Sequence, residues 1–199
     1  MSMNFEVFPT KKNIPKCNEI IKYSMQLFRE FMHREKLIYD IEITTREVSV
    51  DKKVLKGTND LVSKENHYTV FNINEEGEVY VFYHKLTELD NDFWNEELKE
   101  NKNAQIMKGK IYRNLELGYS WSVKRTMGQP AVVSLYYGYL AIAIAVLTDG
   151  IIYSDDGAWD YLCLPIEGST FADEYLNLDM ISDYTVKENI KSWLYELGR

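Results

Sequence analysis

Residues 118–165 read GYSWSVKRTMGQPAVVSLYYGYLAIAIAVLTDGIIYSDDGAWDYLCLP, and the reading of this stretch decides the fold. It opens on an aromatic, partly alternating segment and breaks at Gly128-Gln129-Pro130. It then enters the longest apolar run of the chain, Ala131–Leu147. Proline is tolerated where a helix begins, because the first turn has no use for its missing N–H, so Gly128-Gln129-Pro130 stops a strand and starts a helix. A helix over about 130–147 that is apolar on nearly every side offers no face to water and must be the central, buried one. Beyond it, Ile151–Ser154 reads as a short strand and Ser154–Gly157 as a turn.

Working outward, Met3–Phe8 alternates as a strand. Asn13 offers a cap, with Pro15 in the first turn of a helix that runs to about Glu35. Its apolar residues Ile20, Ile21, Met25, Leu27, Phe28, Phe31 and Met32 recur mostly at three- and four-residue spacing. Leu37–Val50 reads as a strand and 51–66 as a polar loop. Tyr68–Asn74 and Glu78–Lys85 flank Glu75-Glu76-Gly77, a hairpin signal. Asp90 or Asp92 caps a short helix through Glu100, and Tyr112–Thr126 reads as a long strand or a bent pair. Thr170 with Asp173 begins a further helix, and Thr185 with Glu188 forms a capping box for a last one ending at Gly198. The order lacks regular βαβ alternation and internal repeats. It predicts the α+β class: a mostly antiparallel sheet with helices packed on one side, in a single domain over 1–199. At 199 residues and 45% hydrophobic, the chain can bury one substantial core.

The net charge of −8 is unevenly placed. Residues 1–60 carry eleven Lys/Arg against nine Asp/Glu, and residues 61–148 carry nine against eleven. The last 51 residues carry three against eleven, and that imbalance equals the charge of the whole chain. Such an acidic end repels nucleic acid and steers basic partners toward it. The 15 tyrosines keep acidic company, so a base-stacking role is disfavoured and no nucleic-acid partner is expected. Two cysteines without ligand spacing make no disulfide framework, and MSMNFEVFPTKK has no apolar leader core; a cytoplasmic location is expected. Ala131–Thr148 approaches the length of a membrane span. Its Ser134, Gly138 and three tyrosines, with strand-like segments at both ends, favour a core helix, and no membrane association is expected.

Chemistry-bearing clusters are few. Asp155, Asp156 and Asp160 lie within six residues, and hard-cation binding followed by metal-assisted hydrolysis is the alternative function they raise. The EF-hand spacing is missing, and Asp with Gly is ordinary turn chemistry, so a structural turn or a partner-contact surface is the simpler reading and no metal or cofactor is expected. Lys124-Arg125 precedes a helix start, where an anion can bind, but no phosphate-loop pattern surrounds it. Pairing with the acidic turn is the simpler role. His33, His67 and His84 form no ligand set, no G-x-S-x-G exists, and Cys163 sits in an apolar segment. No enzyme is expected.

Three segments, Arg125-Thr126-Met127-Gly128-Gln129-Pro130-Ala131, Tyr137-Gly138-Tyr139-Leu140-Ala141 and Thr148–Asp160, together resemble small cytoplasmic bacterial immunity proteins encoded beside polymorphic or contact-dependent toxins. The resemblance covers about residues 118–178. It implies a stoichiometric inhibitor that binds a cognate toxin, with no catalytic residues to transfer. On this expectation the acidic C-terminal third docks on a basic toxin domain, such as a nuclease, with Asp155, Asp156 and Asp160 meeting Lys/Arg and Trp159 as an apolar anchor.

Overall fold

Fifteen consecutive residues, Ala131 to Ala145, are buried in one helix, and the rest of the chain is wrapped around them. The computed structural model describes residues 2–51 and 53–198. In chain order the elements are β1 (Ser2–Phe8), α1 (Cys17–Arg34), β2 (Ile43–Ser49), β3 (Val54–Lys56), β4 (His67–Ile73) and β5 (Gly77–Lys85). Then come α2 (Glu88–Glu100), α3 (Lys102–Ile106), α4 (Lys108–Leu117), β6 (Tyr119–Thr126), α5 (Ala131–Leu147) and β7 (Ile151–Tyr153). A single 3₁₀ turn (Tyr161–Cys163), β8 (Ile166–Glu167), α6 (Gly168–Glu174) and α7 (Tyr184–Leu197) close the chain. The strands form one eight-stranded sheet in the order β3-β2-β4-β5-β6-β1-β7-β8, every neighbouring pair antiparallel. The α+β class and the buried central helix therefore stand.

Helix α5 lies on β1, β5, β6 and β7, and α1, α6 and α7 pack around its remaining sides. Burying each large aliphatic side chain contributes about 1.5–3 kcal/mol, which is why an all-round apolar helix must be enclosed this completely. Its few polar atoms are answered internally. The Tyr136 hydroxyl meets Ser24 Oγ at 2.6 Å, and Ser24 in turn donates to the Ile20 carbonyl at 2.7 Å. Gly138 lets the Tyr175 ring lie against the helix backbone, where the Tyr175 hydroxyl donates to the Leu135 carbonyl at 3.0 Å.

Successive residues of a strand point to opposite faces. In β1, Phe5 stacks on Tyr137 of α5 with ring centres 5.0 Å apart, whereas Phe8 meets Trp94 of α2 at 5.0 Å on the other face. Helices thus occupy both sides of the sheet, not one. The second layer is α2–α4, whose last turns fall within the aromatic-rich 112–126 expected as strand. Residues 112–117 are helical instead, as part of α4, which buries Ile111 and Asn114 and ends at Gly118 in the left-handed conformation (φ 77°) that glycine adopts freely. Several boundaries also move. Helix α1 starts at Cys17, four residues after Asn13, and the strand expected over Leu37–Val50 narrows to Ile43–Ser49. Thr87 caps α2, with Asp90 reaching back as its third-residue partner, and Asp183, not Thr185, caps α7 by accepting from the Val186 N–H at 3.0 Å.

A Cβ at position 138 would stand 2.1 Å from the Tyr175 ring. Gly138→Ala is expected to lower stability by about 1–3 kcal/mol, the usual cost of overpacking, and urea denaturation measures it. Gly138→Ala combined with Tyr175→Leu should recover part of that loss.

Candidate functional site

The turn that follows β7 is held by its own aspartates. Asp156 accepts from the Asn4 N–H at 2.9 Å, from Ser154 Oγ at 3.1 Å and from the Ala158 N–H at 3.2 Å, which ties the turn to β1. Gly157 takes a left-handed conformation (φ 78°) at the bend. Asp160 points inward. It accepts from the N–H groups of Leu162 and Asp183, each at 3.1 Å, from the Ser182 N–H at 2.6 Å, and from the Ser182 hydroxyl. Burial pushes the Asp160 carboxyl up, and this donor set overrides it and holds the group below its ordinary value. Asp160 therefore braces the turn against the start of α7.

Of the four expected contact residues, Asp155 and Asp156 lie at the surface. Trp159 and Asp160 do not, being only 5% and 4% exposed. Trp159 packs on Phe171 and Tyr175 with ring centres 5.4 Å and 4.8 Å away, so it anchors the core and not a partner. Nor do the three aspartates converge, since Asp156 is turned to β1 and Asp160 to α7. Among the described residues, no group of three or more His, Cys, Asp or Glu side chains is arranged to hold a metal ion. The expected pairing of Lys124-Arg125 with this turn also fails among the described residues. The two cations are neighbours on a strand and so lie on opposite faces: Lys124 sits 5.6 Å from the Phe82 ring, and Arg125 is buried under α5 and α7.

The exposed side of this region is built by the α2 layer. Asn103 donates to the Leu162 carbonyl at 3.0 Å and Asn101 to the Leu164 carbonyl at 2.9 Å, which docks the 3₁₀ turn onto the α2–α3 junction. The docked turn presents Leu162 (75% exposed) and Tyr161 (49% exposed) to solvent, and the Tyr161 hydroxyl donates to Glu97 Oε1 at 3.0 Å. A groove of about 460 Å³ runs between them, lined by Glu97, Glu100, Lys102, Tyr161 and Leu162 among others. Behind it stands Tyr153, whose ring centre lies 6.1 Å from that of Tyr161. Its phenol is pushed well above the ordinary range, first by burial and then by Tyr161, Glu97 and Asp155.

Tyr153 and Asp155 also line a second groove of about 430 Å³ on the open sheet face, with Asn4, Glu6, His84 and Lys124. Burial raises the Glu6 carboxyl and Asp155 adds to the rise, while Ser122, Lys124 and Asn4 work against it. His84 is pushed down, toward the neutral imidazole, by burial and by Lys124. Asp155 thus acts on Glu6, Tyr153 and Asp156 alike, while Lys85 and Lys124 line the same groove. Glu6, Glu97 and Leu162 were not singled out by sequence, and Tyr161 stood out only as one of the 15 tyrosines. Only Leu162, an apolar residue between a capping aspartate and a proline, carried a readable local signal. No family model, no curated protein and no solved structure matches this chain.

A carboxyl whose folded value is raised stabilises the fold fully below the unfolded value, and that stability is lost as pH rises through the folded value. Glu6→Gln is therefore expected to raise the urea midpoint relative to the parent at pH 7–8, with the difference shrinking to nothing in acid below the ordinary glutamate range. Denaturation midpoints across pH measure it.

Proposed function

We propose that this chain is a non-catalytic binding protein that captures a basic protein domain and blocks it, as an immunity protein does its cognate toxin. The observation that carries this reading is the exposure of Tyr161 and Leu162 beside Glu97 and Glu100, with Glu97 and Asp155 both acting on Tyr153 behind them. An apolar and aromatic centre flanked by the carboxylates of Glu97 and Glu100, with Lys102 among them, suits a partner whose own contact surface is rich in Lys and Arg. The sequence resemblance supplies the class of partner, a toxin domain such as a basic nuclease. The anchor is Tyr161 with Leu162 and replaces Trp159, and Asp155 and Asp156 remain contact residues. A reducing cytoplasm is the proposed location; Cys17 and Cys163 are both free thiols, and no helix among the described residues is long and apolar enough to cross a membrane.

The partner is sought in the adjacent reading frame and tested by pull-down and calorimetry. Affinity should fall steeply between about 50 mM and about 500 mM salt, because exposed charges are screened over roughly a Debye length. Tyr161→Ala should weaken binding by about 1–2 kcal/mol, roughly ten-fold, with the melting temperature little changed. Salt-independent affinity for the neighbouring product, or a Tyr161→Ala variant that binds like the parent, overturns the reading. Heat on titration with Mg²⁺, Mn²⁺ or Ca²⁺, abolished by Asp155→Asn, would move the protein to the metal-assisted hydrolases instead.

A further inference from the structure

Arg125 presents an unresolved charge. Its side chain is 4% exposed, at the end of β6 and beneath α5 and α7, and it makes no ion pair among the described residues. The guanidinium carbon lies 4.9 Å from the Tyr137 ring centre and 5.2 Å from that of Trp193, so two aromatic faces sandwich it. One terminal nitrogen points at the Met3 sulfur, 3.2 Å away, and the buried Nε has no hydrogen-bond acceptor. A thioether, two ring faces and the Tyr137 hydroxyl make up only part of what a guanidinium loses on leaving water. The carboxylate on the neighbouring turn, Asp156, acts on Tyr137 but makes no ion pair with the guanidinium, and accepts instead from the Asn4 and Ala158 N–H groups and from Ser154.

Beside the guanidinium lies a cavity of about 20 Å³, walled by Met3, Tyr137, Trp159 and Trp193, with the exposed Gly157 and Asn189 at its rim. That space accepts one particle of roughly water size and excludes a phosphate or a carboxylate. Water there would satisfy the Nε–H but bring no negative charge into contact with the guanidinium. A monatomic anion answers both. We propose that this cavity is a binding site for a small monovalent anion of the halide class, held by the Arg125 guanidinium between Tyr137 and Trp193. Because α7 contributes Asn189, Ile190 and Trp193 to the walls, occupancy clamps the C-terminal helix onto the sheet and links its docking to the anion. This site is separate from the partner surface of Tyr161 and Leu162 and does not depend on that reading.

A ligand that binds only the folded form stabilises it in proportion to the logarithm of its saturation. At constant ionic strength, replacing gluconate (too large for the cavity) by chloride or bromide should raise the melting temperature saturably. Arg125→Met should show no difference between the two anions. Should Arg125→Met fail to fold, the parent protein still decides the matter by Trp193 fluorescence, with Trp193→Phe identifying the signal. Saturable quenching of Trp193 by bromide supports the site, and purely linear collisional quenching overturns it. A melting temperature indifferent to the exchange of gluconate for chloride, or bromide-derivative crystals without an anomalous peak beside Arg125, likewise overturns it.

Discussion

Helix α5 has no side that water would tolerate, and that constraint organises the molecule. A helix with one apolar stripe needs a single partner; a helix apolar all round needs a complete enclosure. The sheet supplies the floor, and α1, α6 and α7 supply the walls and roof. The enclosure also dictates where polar atoms can go. Tyr136 finds Ser24 of α1, and Tyr175 of the segment after α6 finds the Leu135 carbonyl through the gap that Gly138 leaves. Aromatic edges complete the packing, with Phe5, Phe171, Tyr175 and Trp159 meeting one another at ring distances of 4.8–6.1 Å.

The same sheet separates chemistry between its faces. Because adjacent strand residues diverge, Phe5 joins the α5 core while Glu6 joins the open face, and Arg125 is buried while Lys124 reaches solvent. The α2–α4 segment covers only part of the open face, and its edge gathers Glu97, Glu100 and the docked 3₁₀ turn beside Asp155. Negative groups distant in sequence become neighbours there. At Glu6, Asp156 and Tyr153 burial raises the pKa first, and Asp155 adds to each rise.

Much of the fold was legible because its signals are local. Alternation in Met3–Phe8, the hairpin over 67–85, the start of α5 after Pro130 and the helix of 17–34 all rest on short-range periodicity and turn chemistry. The misread segments are those where local signals compete. Aromatic residues suit strands, so Tyr112 disguised a helix whose end is marked by Gly118. Thr185 and Glu188 imitate a capping box, but Asp183 lies two residues earlier and supplies the acceptor.

From sequence alone, then, come the α+β class, the necessity of burying α5, and the acidity of the last 51 residues. Each depends on composition or on residues a few positions apart. The fate of individual side chains in 154–160 required tertiary structure, because exposure is a property of what packs opposite. Ser182 and Asp183 draw Asp160 inward, Phe171 and Tyr175 claim Trp159, and Asn101 with Asn103 hold Leu162 at the surface. Those partners lie some 10 to 60 residues away along the chain, beyond the reach of any local pattern.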